Sequence, residues 1–155
     1  MSTDIHLALY QPDIPQNVGA AMRLCACLGL TLDLIEPFGF PWDERKIRAS
    51  GMDYTDLATV KRHASFDAFC AEYPGRRLIL MTTKGAIPYT DFEYRADDIL
   101  IAGRESAGVP DFVHEKADAR VIIPMIPDAR SLNVIIASAM IMAEARRQIG
   151  FTPLK

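Results

Sequence analysis

Three short segments hold residues whose types and spacing could do chemistry. In "NVGAAMR" (17–23), Asn17 stands where a helical pattern starts and would serve as its N-cap. Gly19 and Arg23, four apart, share a helix face, and Gly19 and Ala20 leave room for a group to approach. An arginine beside an open helix N-terminus suits a phosphate, although for this segment taken alone a surface arginine next to a cap is the simpler reading. In "GRESAGVP" (103–110), Gly103 and Gly108 suit either turns or a close backbone approach to a ligand, and Glu105 between them would repel polyphosphate. In "PMIPDARSLN" (124–133), Pro124 and Pro127 cannot donate backbone hydrogen bonds, so the carbonyls and N–H groups between them need partners. A purine edge would supply them, with Met81, Ile123 and Leu132 as apolar walls. Ser131 is placed to cap the helix that follows, and a cap can also lie beside a ligand.

The elements that must position these loops alternate. β-rich runs fall at 5–10, 31–35, 59–63, 77–81, 98–102 and 119–123; helical patterns fall at 17–28, 43–49, 65–72, 110–116 and 131–149. Such alternation predicts an α/β domain with a mostly parallel sheet, and no linker or repeat divides residues 1–155. Ligands of open parallel sheets sit at the carboxyl ends of the strands. "TTKG" (82–85), "GRESAGVP" and "PMIPDARS" all leave such ends, which predicts one site built from adjacent loops. Gly29 is set to end the first helix. The last helix, "LNVIIASAMIMAEA", is apolar on nearly every face and is expected to be buried all round, in the core or against a second subunit.

Composition excludes several classes. With 50% apolar and 24% charged residues, the chain reads as soluble and globular, and no apolar run has the roughly 18–20 residues of a membrane span. "MSTDIHLALY" lacks the basic start of a secretory signal, so a cytoplasmic protein is expected. Cys25, Cys27 and Cys70 form neither an even framework nor a CxxC pair and read as reduced packing residues. A net charge of −3 argues against coating nucleic acid by charge alone. A local basic patch at Arg45, Lys46, Arg48, Lys61 and Arg62 is interleaved with Asp43, Glu44, Asp53 and Asp56, so a solvated face is an equal reading. His6, His63 and His114 are scattered without ligand spacing, and no metal site is expected. Glu105 takes the place of the second glycine of a dinucleotide fingerprint, which weighs against a nucleotide-binding dehydrogenase.

Taken together, the three segments resemble the SPOUT methyltransferases, the knotted RNA-modifying enzymes. "NVGAAMR" resembles the family motif NxGxxxR, and "GRESAGVP" resembles GxExxGxP. "IPMIPDARSLNVIIA" is similar to the third motif, where Ser and Asn follow a proline-bounded loop. With no appended RNA-binding domain, and with "IEPFGFPWDERKIRASGMDY" (35–54), the chain is most similar to the minimal tRNA (cytidine/uridine-2′-O)-methyltransferases of the wobble nucleotide.

The resemblance implies a parallel-sheet SPOUT fold with a deep trefoil knot over about 77–149. It implies S-adenosylmethionine bent within the knot, against Met81, Gly103, Ile123, Ser131 and Leu132. Asn17, Glu105 and Asn133 sit at motif positions that shape the pocket and the substrate ribose. A homodimer is implied too, with Arg23 of one subunit facing the cofactor of the other and a tRNA anticodon stem-loop as substrate. Arg23 would grip a phosphate and orient the hydroxyl; a guanidinium of pKa above about 12 is not a free base, and the base stays unidentified. Relatives often carry tyrosine before the glutamate of the last helix, where this chain has Ala143 before Glu144. Methylation at another RNA site, or a non-catalytic RNA-binding or ribosome-assembly factor on the same fold, are the alternative readings.

Overall fold

The computed structural model describes residues 4–50 and 57–151. Asp53, Asp56 and the end of the 35–54 segment lie outside the described residues. Seven strands form one sheet in the order β3-β2-β1-β6-β4-β7-β5. They are β1 (His6–Tyr10), β2 (Thr31–Ile35), β3 (Thr59–His63), β4 (Leu78–Met81), β5 (Ile87–Pro88), β6 (Ile99–Ala102) and β7 (Ala119–Ile122). Every pairing is parallel, with registers such as Leu7↔Leu32 and Leu7↔Leu100. The apolar runs of β1, β2 and β6 are buried along their whole length, as strands covered on both faces require. β5 was not expected. It is two residues at the sheet edge, where a proline without an N–H is tolerated.

Helices cover both faces. α1 (Pro15–Leu28), α2 (Glu44–Ser50) and α5 (Val134–Ile149) contribute Val18, Ile47 and Ile141 to one core; α3 (Phe66–Glu72) and α4 (Asp111–Lys116) contribute Phe69 and Val113 to the other. Gly29 ends α1 in the left-handed conformation, φ 66°, as expected, and its N–H bonds to Cys25 O.

Several expectations are corrected. α1 begins at Pro15, whose fixed φ and missing N–H suit the first helical position, so Asn17 lies inside the first turn and is not the cap. The space over Gly19 is filled by Ser50 of α2, with which an added Cβ would collide; it receives a helix and not a ligand. Ser131 is not the cap of α5. Asn133 is: its Oδ1 accepts from the N–H groups of Ile135 and Ile136 at 2.9 and 3.1 Å.

α5 is not buried all round by its own chain, because Ile136 is 55% and Met140 37% exposed. Cys25 is buried, and burial pushes its thiol up, but Cys27 is exposed and Cys70 half-buried. Two of the three histidines meet at one carboxylate, and His114 lies apart from them. His6 Nδ1 and His63 Nε2 lie 2.6 and 2.7 Å from the two carboxylate oxygens of buried Asp33, which also accepts from the Tyr73 hydroxyl at 2.6 Å. Among the described residues no group of three or more potential ligands could hold a metal ion, and no helix is long and apolar enough to cross a membrane.

Candidate functional site

The loops after β4, β6 and β7, three adjacent strands, surround one cavity of about 530 Å³. Its size falls in the range of small-molecule sites. Met81 and Ile123 stand at the ends of β4 and β7 and form apolar wall. Ser131, Leu132 and Asn133 close it from the start of α5, and Gly103 and Glu105 line it from the loop after β6. Seven of the nine residues singled out from the sequence therefore share one cavity.

Local backbone explains the shape. Arg104 and Gly108 exchange backbone hydrogen bonds at 3.1 and 2.9 Å, folding residues 103–108 into a tight loop with Gly108 at φ 62°. A Cβ at Gly103 would lie 2.9 Å from the Gly108 carbonyl carbon, so this glycine is needed by the loop itself. Residues 124–133 are exposed, with one turn, Ala129 N to Ile126 O at 3.0 Å, that encloses Pro127. Leu132 is 38% exposed, an apolar side chain facing the opening.

Asn17 and Arg23 do not line the cavity. Asn17 is buried beside it, and its Nδ2 donates to Glu105 Oε1 while its Oδ1 accepts from Asn133 Nδ2 at 3.4 Å. The three motifs are thus joined by one chain of side-chain hydrogen bonds. Arg23 is exposed on α1.

The sequence reading missed Asp13. Ser106 Oγ, next in sequence to Glu105, donates to Asp13 Oδ2 at 2.5 Å. Glu105 is an exposed residue overall; partial burial of its carboxyl first, and then the neighbouring Asp13, push it up to about 7. Asp13 is held below the usual carboxylate range, first by Glu105 and then by Ser106. The available signal was position: Asp13 follows the end of β1, the same sheet edge as the cavity. His114 was dismissed with the other histidines, yet it lines the cavity, its Nε2 lying 3.0 Å from Thr82 Oγ1.

Comparison with known proteins agrees with this arrangement. The SpoU rRNA methylase family profile matches residues 4–143. A tRNA (cytidine(34)-2′-O)-methyltransferase of Beijerinckia indica is 60% identical over 146 residues, 93% of this chain and 91% of that protein. A solved structure described as giving insights into the 2-OH methylation of C/U34 on tRNA superposes with a TM-score of 0.88 at 38% identity, covering 93% of this chain and 95% of that one. The SpoU methyltransferase AviRb from Streptomyces viridochromogenes, in complex with the cofactor AdoMet, superposes with a TM-score of 0.81 at 25% identity, over 96% of this chain and 61% of its own. With the family profile spanning all three motifs and the fold shared across these structures, the chain belongs to the SpoU methylase family.

Proposed function

We propose that this protein transfers a methyl group from S-adenosylmethionine to the ribose 2′-hydroxyl of the wobble nucleotide, cytidine or uridine 34, in tRNA. The observation that carries the reading is the cavity at the ends of β4, β6 and β7, lined by the motif residues. Similarity to relatives named for that reaction supports the substrate.

The cavity suits the cofactor in size and in its walls. Met81, Ile123 and Leu132 would flank the adenine, backbone groups of the proline-bounded loop would read its edge, and Gly103 and Ser131 would hold the remainder. Bound there, S-adenosylmethionine supplies an electrophilic methyl group on a sulfonium. Because that group is already activated, the protein needs alignment and removal of one proton, and no metal. Asn17, Glu105 and Asn133, one hydrogen-bonded chain, would fix the pocket beside the ribose.

Two chains would act together. Ile136 and Met140 leave an apolar stripe uncovered on α5, suited to a second copy, and Arg23 would reach the partner's site as a phosphate grip. The acidic chain has too little positive charge to hold a large RNA broadly, so one anticodon stem-loop is the fitting substrate. We also propose one methyltransferase domain working in the cytoplasm, with the trefoil knot over about 77–149. β4 lying between β6 and β7, with all three following loops on one edge, supports that threading.

The test is direct: incubate the protein with S-adenosylmethionine and unmodified tRNA, and map methylated nucleosides by mass spectrometry. A 2′-O-methyl group at position 34 is expected. A methyl group on a base, or on another nucleotide, would overturn the proposal.

A further inference from the structure

The loop after β2 carries aromatic side chains that the cavity does not use. Phe38 and Phe40 are stacked, ring centres 5.6 Å apart at 11°, and Trp42 lies 5.4 Å from Phe38. All three are half-buried, packed against the core that α1, α2 and α5 share. Arg62 of β3 lays its guanidinium over them, 4.4 Å from the Trp42 ring centre and 5.3 Å from that of Phe38. Glu36 Oε1 accepts from Arg62 Nη2 at 3.0 Å, so the guanidinium is held by an ion pair as well as by the rings. The Arg62 side chain is still 41% exposed. A charged plane is thus fixed in place with one side open to solvent.

This group adjoins the cavity. β2 and β3 run parallel to β4, β6 and β7, so the loops that follow all of them leave one sheet edge. Gly39 N donates to Pro12 O at 3.0 Å, and a Cβ added at Gly39 would lie 2.6 Å from Asp13 Cβ. Only glycine lets the aromatic loop come so near. Asp13 accepts in turn from Ser106, which stands between the cavity residues Glu105 and Ala107. The structure also divides the basic patch noted in the sequence. Lys61 is on the opposite face of β3, 5.6 Å from the Tyr73 ring centre. Arg45 and Lys46 stay with the aromatic loop: their backbone N–H groups bond to Asp43 Oδ1, and their side chains are exposed.

We propose that Arg62, backed by Trp42 and Phe38, is the stacking surface for an unpaired anticodon-loop base that flanks the methylated nucleotide. The inference rests on the tRNA reading given above. Unpaired RNA bases are held on aromatic rings and on guanidinium planes. Stacking needs little net charge, which suits a chain of net charge −3. Glu36 offsets the charge of Arg62, so the arginine serves through its plane, which a lysine lacks. Arg45 and Lys46 would meet phosphates of the same loop. Arg62 touches no reacting atom; it positions the loop so that the neighbouring ribose enters the cavity.

A double-mutant cycle between protein and RNA tests the proposal. Affinity for an anticodon stem-loop is measured by fluorescence anisotropy, with the loop intact and with each unpaired position made abasic in turn. Arg62→Ala should weaken binding roughly tenfold and leave S-adenosylmethionine affinity unchanged. Removing the base next to the wobble nucleotide, on one side or the other, should cost the wild type about as much. The same removal should cost Arg62→Ala little more, because the stacking partner is already gone. Arg62→Lys keeps the charge without the plane and should behave as Arg62→Ala. Rescue by lysine, or losses that simply add at both flanking positions, would overturn the proposal. An abasic series that leaves wild-type binding unchanged overturns it without any variant. Each of these results leaves the proposed function standing if the wild type still methylates the wobble ribose. A wild-type protein that methylates no tRNA sinks that function, and the role of Arg62 with it.

Discussion

Arg146, fully buried in α5, donates from Nη2 to the carbonyl of Gly29 at 2.9 Å, just past the end of α1. The same nitrogen reaches Leu28 O at 3.0 Å. A helix C-terminus presents unsatisfied carbonyls and a partial negative charge, and this guanidinium answers both. Arg146→Met keeps much of the packing but leaves those carbonyls without this donor. It should cost about 3 kcal/mol, read as a lower urea midpoint at fixed protein concentration.

Gly103 is confined by its own loop, since an added Cβ would press on the Gly108 backbone and on Val109 Cγ1. Gly103→Val should therefore spread the 103–108 turn and weaken S-adenosylmethionine binding by tenfold or more, on the order of 1.4 kcal/mol. Calorimetry showing wild-type affinity would place the cofactor elsewhere.

Ile136 and Met140, one helical turn apart, form the uncovered stripe of α5. A charge there costs little in a monomer but would be stranded in an apolar interface. Ile136→Asp should shift sedimentation from dimer to monomer while the circular dichroism of the helices persists. A fully active wild-type monomer at micromolar concentration would count against the dimer.

Arg23→Ala should abolish methyl transfer and leave both S-adenosylmethionine affinity and the dimer near wild type, because Arg23 does not line its own chain's cavity. Mixing it with a Glu105→Gln variant, altered in its own chain's cavity, separates the two arrangements. If Arg23 serves the partner's site, the mixed dimer has one site bearing neither substitution and one bearing both, and activity returns; if it serves its own, each site bears one. Wild-type turnover in Arg23→Ala would remove the phosphate grip.

Stability should carry the mark of Glu105 as well. Its folded-state pKa, about 7, lies above the ordinary 4.5. Its contribution is therefore fully present below the ordinary value and is lost as pH rises through about 7. Asp13, lowered in the fold, works in the opposite sense: its contribution is present above the ordinary range and lost in acid. Glu105→Gln removes the first effect, so its melting temperature should fall less than that of the wild type as pH rises from the ordinary carboxyl range to 7.

Much of the chain is legible in its sequence, for a local reason. Runs such as "LIL" and "ILI" are buried on both faces and mark β4 and β6 directly, and Gly29 ends α1 because only its own backbone must turn left-handed. The motif glycines, prolines and asparagines gathered Met81, Gly103, Glu105, Ile123, Ser131, Leu132 and Asn133 into one cavity, since each follows a strand end on the same edge. Polar pairings were not legible. Asn17 and Glu105 are 88 residues apart, and Arg146 and Leu28 are 118 apart. No periodicity encodes such partners, because a hydrogen bond depends on where two chain segments arrive and not on the spacing within either. The cap of α5 shows the same limit at short range. Ser131 and Asn133 are both good capping types, and the path of the proline-bounded loop decided that Asn133 would hold the helix. Asp33 between two histidines exists only because β1 and β3 flank β2 in the sheet.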